Sequence, residues 1–287
     1  LVGEVWIASG QSNMQWNVAN SNNASQEIPD ADNYPQIRLC SVERVVAPKP
    51  LEDTTVTWAV CSRETIPYFS AVAYFFGKDL SRNLDVPIGL IHASWGGTPA
   101  QAWVSIPALE KLPFMEGMFK YWQEQLAQFD YEKANAEFEK KLAEWKKQSE
   151  IARSEGKNPG PKPTLDTPDQ SPHQPGVLFN GMIAPICPYA IRGAIWYQGE
   201  SDAGRWFQYR DLMTTLIYDW REKWNEGDFP FLYVQLANYM AEQTQPCQED
   251  ATWPLLRESQ WLTLSVAKTG MATAIDVGEA NDIHPRD

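Results

Sequence analysis

Cysteine and histidine are scarce in this chain of 287 residues, which has four of the first and three of the second. Cys40, Cys61, Cys187 and Cys247 show no C-x-x-C spacing, so the sequence gives no support to a structural zinc site. A Cys40–Cys61 disulfide is conceivable, but unpaired buried thiols are the expected state. Positive charge is also short: 24 basic against 37 acidic side chains leave a net charge of −13. Such a surface repels a phosphate backbone unless a basic patch is segregated, and none occurs, which argues against nucleic acid as a partner. No apolar run is long enough for a bilayer and no signal-peptide pattern precedes the first strand, so no membrane association is expected. The chain opens at Leu1 straight into an apolar strand, as a mature chain or an excised domain would. Nothing in the residues sets an oligomeric state.

The remainder is ordinary globular composition, 43% apolar and 21% charged. A chain of this length can bury roughly 75% of its unfolded surface, enough for an enzymatic core. Thirteen Trp and eleven Tyr are many. Flat aromatic faces can stack on sugar rings, yet most of these residues fall at core-like positions of helices and strands.

Apolar runs and helical stripes alternate. EVWIAS at Glu4 to Ser9 ends at Gly10 as a buried strand ending in a tight turn, and an extended region follows near Ile37 to Val46. Ser70 to Leu80 carries helical spacing, and PIGLIHA at Pro87 to Ala93 is a second buried strand closed by S-W-G-G-T-P. Ala190 to Tyr197, Phe229 to Ala237 and Met271 to Val277 read as further strands. Between them lie helices from about Trp206 to Trp224 and Leu255 to Lys268. This rhythm predicts an α/β fold with a parallel, doubly wound sheet. Residues 107–175 break it. Trp122, Leu126 and Phe129, then Phe138, Leu142 and Trp145, predict one long helix or two packed on the body, with a proline-rich, exposed return. This is an insertion into a single domain spanning 1–287: a lid, an interface arm or an inert hairpin.

Ligands of open parallel sheets bind beyond the carboxyl ends of the strands, so the residues after each apolar run are the candidates. G-Q-S-N-M at Gly10 to Met14 puts Ser12 after a strand at a helix start, where backbone N–H groups favour a developing oxyanion. A plain N-cap serine is the bland alternative. W-G-G-T-P at Trp95 to Pro99 lets backbone N–H groups approach a substrate closely. W-Y-Q-G-E-S-D at Trp196 to Asp202 gathers an amide and carboxylates at one strand end, which an acidic helix start would also explain. N-D-I-H-P at Asn281 to Pro285 places His284 in a strand-end loop, and Ser, then Asp, then His is a recognised order for a catalytic triad. His92 sits inside a strand as an expected core side chain, and His173 lies in the proline-rich return.

G-Q-S-N-M, W-G-G-T-P-A-Q-A-W, A-I-W-Y-Q-G-E-S and D-I-H-P-R-D, in this order over Gly10 to Asp287, resemble the sialate O-acetylesterase family of the SGNH-hydrolase superfamily. The resemblance implies a flavodoxin-like three-layer α/β/α domain that cleaves acetyl esters of carbohydrates without metal or organic cofactor. It also implies export to the periplasm or outside the cell, and further sequence at both ends. It makes Ser12 the nucleophile and His284 the general base. It makes the backbone N–H groups of Ser12 and of Gly97 or a neighbour, with the Gln198 amide, the oxyanion hole. The family's acid usually stands three residues before the histidine, and here that position is Asn281. Asp282 is the first candidate for the acid, with Asp276, Glu279 or no acid as alternatives.

Asn13, Trp95, Glu200 and Arg205 are the expected substrate-binding residues, Arg205 as a partner for a sugar carboxylate, with an ordinary helix-surface arginine as its bland alternative. O-acetylated sialic acid is the first expected substrate and acetylated xylan or another plant polysaccharide the second. A non-catalytic carbohydrate-binding protein is the rival from another class, and a lipase or thioesterase the enzymatic one. The polar Asn, Gln and Trp around the site suit a short acyl group on a sugar better than a long acyl chain.

Overall fold

The computed structural model describes residues 1–187, 189–242, 244 and 251–286. Among them, seven strands form one sheet: β1 (Glu4–Gly10), β2 (Ile37–Ser41), β3 (Trp58–Val60), β4 (Ile88–Ser94), β5 (Gly193–Tyr197), β6 (Phe231–Val234) and β7 (Thr269–Ala272). Their order is β3-β2-β4-β1-β5-β6-β7, and every pairing is parallel except β2 with β3. The helices are α1 (Ser12–Gln15), α2 (Ala24–Asp30), α3 (Ala71–Leu84), α4 (Ile106–Leu109), α5 (Glu116–Gln128), α6 (Tyr131–Ser154), α7 (Trp206–Trp224) and α8 (Thr252–Leu262).

The central strands are apolar throughout because both faces are covered. On one face Trp6 meets Phe76 of α3 edge-on at 4.9 Å, and Leu90 fills the space over Gly77. On the other, Trp196 meets Trp103 and Trp220 of α7, with centroids 6.1 and 5.9 Å away. Trp220 is fully buried and its indole N–H donates to Trp103 O at 2.9 Å, so its polar atom is satisfied inside the core. Truncation to alanine there is expected to cost about 3–5 kcal/mol. Trp6, Trp103, Trp196, Trp220 and Trp224 are all core residues, as their sequence positions predict.

Several boundaries differ from expectation. β3 is an additional, antiparallel edge strand of three residues, too short for a periodicity signal. β7 lies earlier than Met271 to Val277, and α8 ends at Leu262 rather than near Lys268. Cys40, Cys61 and Cys187 are free and buried, and loss of hydration pushes their thiols up to about 11, 12 and 12. Cys247 and Asp287 lie outside the described residues. Among the described residues no helix is long and apolar enough to cross a membrane.

Between β4 and β5 the chain forms α5 and α6 as separate helices, because Asp130 caps the second by accepting from Lys133 N at 2.9 Å. Both predicted stripes are half-buried. Trp145 turns toward the proline-rich return, donating to Gly160 O at 3.4 Å.

Candidate active site

The sheet order reverses at β1, whose connection leads toward β2 and β4 while β5 lies on its other side. A crevice therefore opens at the carboxyl ends of β1 and β5. Gly10 closes β1 with φ 139°. A Cβ there would lie 2.1 Å from Tyr197 O, so only glycine lets the two strand ends meet, and Gln11 N donates to that same oxygen at 2.9 Å. Ser12 follows as the first residue of α1, half-buried, with Asn13 and Met14 buried behind it.

The W-G-G-T-P loop lies against Ser12. A Cβ on Gly96 would sit 3.3 Å from Ser12 Cβ, and Gly96 N donates to Gln15 Oε1 at 2.7 Å. That commits the Gly96 N–H. Gly97 is exposed, adopts φ 76°, and would meet nothing within 4 Å through an added Cβ. Of the two glycines, Gly97 has an N–H with no acceptor among the described residues.

His284 reaches the same place from the far end of the chain. Its ring stacks on Trp16, one turn beyond Ser12, with centroids 5.2 Å apart and planes 16° from parallel. Asn13 Nδ2 donates to Ile283 O at 3.2 Å, and Asn22 N to Arg286 O at 2.8 Å, so the loop is fastened on both sides of the histidine. Asp282 does not orient the imidazole as expected. Its Oδ1 accepts the backbone N–H of His284 at 2.9 Å and stands 3.6 Å from Nδ1, too far for a hydrogen bond. Its tight link is to the loop backbone. Asp276 and Glu279 are exposed.

Three further expectations change. The Gln198 amide is fully buried, and its nitrogen donates to Thr98 O at 3.2 Å and Asp202 Oδ2 at 2.6 Å while its oxygen accepts from Tyr209 at 3.0 Å. Both hydrogens are spent, so it has none for an oxyanion in this arrangement. It ties the Q-G-E-S-D turn to the W-G-G-T-P loop instead. Asn13 is 4% exposed and its other hydrogen goes to Glu200 Oε1 at 2.6 Å, so it and Glu200 lie under the site rather than against a substrate. Glu200 Oε2 is shut from solvent without a partner, and burial pushes its carboxyl up to about 7. Arg205 donates to Asp202 Oδ1 at 2.6 Å and Gln101 Oε1 at 2.7 Å, which commits it to the same interloop network. Asp202 also accepts from Ala100 N at 2.8 Å.

Trp95 is half-buried at the rim, and the guanidinium of Arg44 lies 6.0 Å from its ring centroid. Arg44 is exposed just past β2, its Nε donates to Ser94 O at 3.3 Å, and no carboxylate pairs with it among the described residues. Its strand, β2, is separated from β1 by β4 alone. Sequence reasoning missed it because an arginine beyond a weak edge region carries no local signal. His92 shares a 2.5 Å hydrogen bond with Ser94 Oγ, and desolvation lowers it to about 4, so it is a neutral, satisfied structural residue. His173 is exposed. Among the described residues no cluster of three His, Cys, Asp or Glu is placed to hold a metal ion.

A mostly parallel sheet with this strand order and these strand-end loops defines the SGNH-type α/β/α hydrolase fold. Residues 176–285 match the family described as carbohydrate esterase, sialic acid-specific acetylesterase. The whole chain resembles the sialate O-acetylesterase family, as its four motifs indicate. It is 32% identical to the sialate O-acetylesterase of Mus musculus and 31% to that of Homo sapiens, with 100% of this chain aligned to 54% and 51% of theirs. The crystal structure of a carbohydrate acetylesterase from Xanthomonas citri superposes with a TM-score of 0.71 at 32% identity, covering 100% of this chain and 53% of that one. The chain thus spans about half the length of the relatives it matches.

Proposed function

We propose that this chain is a serine esterase that removes O-acetyl groups from a carbohydrate, O-acetylated sialic acid first and acetylated xylan or another plant polysaccharide second. One observation carries the reading: Trp16 and Asn13, in the turn that bears Ser12, hold His284 and its neighbour Ile283 across nearly the full length of the chain. In the reaction, Ser12 Oγ attacks the acetyl carbonyl carbon as His284 takes its proton. The backbone N–H groups of Ser12 and Gly97 receive the oxyanion. The sugar oxygen leaves with the proton returned by His284, and water activated by the same imidazole then releases acetate. The resemblance to the sialate O-acetylesterases also supports export to the periplasm or outside the cell.

Arg44 favours the anionic sugar over the neutral one. It offers unpaired guanidinium hydrogens beside the aromatic face of Trp95, a combination that suits a carboxylate attached to a pyranose ring. Hydrolysis of O-acetyl sialic acid compared with acetyl-xylooligosaccharides tests this choice. Chain-length preference on p-nitrophenyl esters tests the broader reading: a peak on acetate supports it, and a peak on octanoate places the chain among lipases or thioesterases.

A further inference from the structure

The catalytic geometry assigned to His284 needs a restraint, and its ring has no carboxylate within hydrogen-bond distance. Asp282 Oδ1 is 3.6 Å from Nδ1 and accepts the His284 backbone N–H instead. Besides the Trp16 stack and the Asn22 contact, a restraint on the histidine loop runs through Asn13. Its single amide nitrogen bridges two loops, donating to Glu200 Oε1 at 2.6 Å and to Ile283 O at 3.2 Å. These are the loops after β5 and β7, and Asn13 itself adjoins Ser12 on the loop after β1. One buried amide thus joins the three loops around the site.

We propose that Asn13 and Glu200 are the positioning pair for His284: Glu200 fixes the Asn13 amide, and Asn13 holds the histidine loop by its backbone against the nucleophile turn. This rests on the reading of His284 as the base.

Two features give the pair its direction. Asn13 is the side-chain partner of Glu200, whose carboxyl otherwise faces the backbone N–H groups of its own turn, leaves Oε2 sealed from solvent and enters no salt bridge among the described residues. The Asn13 amide has two hydrogens and both are used, so loss of Glu200 leaves it free to rotate away from Ile283. Burial favours the protonated carboxyl of Glu200, which a glutamine imitates in shape and charge. That similarity makes a rescue experiment possible.

The test measures kcat and KM on p-nitrophenyl acetate for wild type, Glu200→Ala, Glu200→Gln, Asn13→Ala and Asp282→Asn, with melting curves alongside. The fraction of sites labelled by diisopropyl fluorophosphate at long times corrects for inactive protein. A displaced base predicts ~10- to 100-fold lower kcat in Glu200→Ala and Asn13→Ala with little change in KM. Glu200→Gln should recover to within about threefold, and Asp282→Asn should lose far less than the ~10⁴-fold of an acid bonded to the imidazole. Should Glu200→Ala fail to fold, Asn13→Ala decides. The inference is overturned if Asn13→Ala keeps wild-type kcat, if Glu200→Gln is as damaged as a folded Glu200→Ala, or if Asp282→Asn shows the triad-sized loss. A wild type whose hydrolysis survives Ser12→Ala would instead overturn the esterase reading itself.

Discussion

The indole of Trp16 lies nearly parallel to the imidazole of His284, 5.2 Å between ring centroids. When the base takes a proton it becomes a cation against an aromatic face, an interaction worth roughly 0.5–2 kcal/mol. Trp16→Leu is therefore expected to lower kcat about 3- to 30-fold, while Trp16→Phe keeps a ring and most of the rate. Steady-state kinetics on p-nitrophenyl acetate checks it, and equal rates in Trp16→Leu and wild type would remove the role.

Gln198 is expected to act on stability. Gln198→Ala strips Asp202 Oδ2 of a donor and Tyr209 of an acceptor inside a fully buried cluster. The cost should be about 2–3 kcal/mol, read as a lower urea midpoint. A fall of ~10²–10³ in kcat with the midpoint unmoved would mean that the amide turns to the oxyanion during catalysis.

The Glu200 carboxyl, raised by burial from 4.5 to about 7, makes a pH-dependent contribution to folding. Between those values the folded chain holds the proton more tightly than the unfolded one. The stabilisation of this group is full at low pH and is lost as pH rises toward 7. Glu200→Gln has no proton to lose, so its Tm relative to wild type should increase from about pH 5 to about pH 8. Parallel scans by calorimetry measure it, and a constant Tm difference would show that the carboxyl titrates alike in both states.

Arg44 should distinguish charged from neutral sugars. Wild type is expected to favour O-acetyl sialic acid over its methyl ester, and Arg44→Ala should raise KM for the free acid roughly 10- to 100-fold and erase that preference. If the two esters lose equally in the variant, Arg44 does not read the carboxylate.

The helices and buried strands were legible because their periodicities are strong. Trp206 to Trp224 is helical over the range its stripe marks, and β1, β4 and β5 fall on continuous apolar runs. β3 was not, since three residues on an edge, two half-buried and one exposed, leave no pattern. Within the site, residue types at strand ends identified the neighbourhood of Ser12, Gly97 and His284 but not the use of each side chain. Asn13, Gln198, Glu200 and Arg205 were expected to face a substrate, yet their hydrogen bonds go to neighbouring loops and to Asp202. The partners across loops are 100 or more residues apart in the chain, as with Gln198 and Thr98 or Arg205 and Gln101, and only the closed fold pairs them. Trp16 and Arg44 went unremarked for the same reason.

The most direct measurement is acetate release from p-nitrophenyl acetate and from O-acetylated sialic acid by wild type and Ser12→Ala side by side. The account predicts release by wild type from both and none above background by the variant. Undiminished release by Ser12→Ala, or no release by a folded wild type, would contradict it.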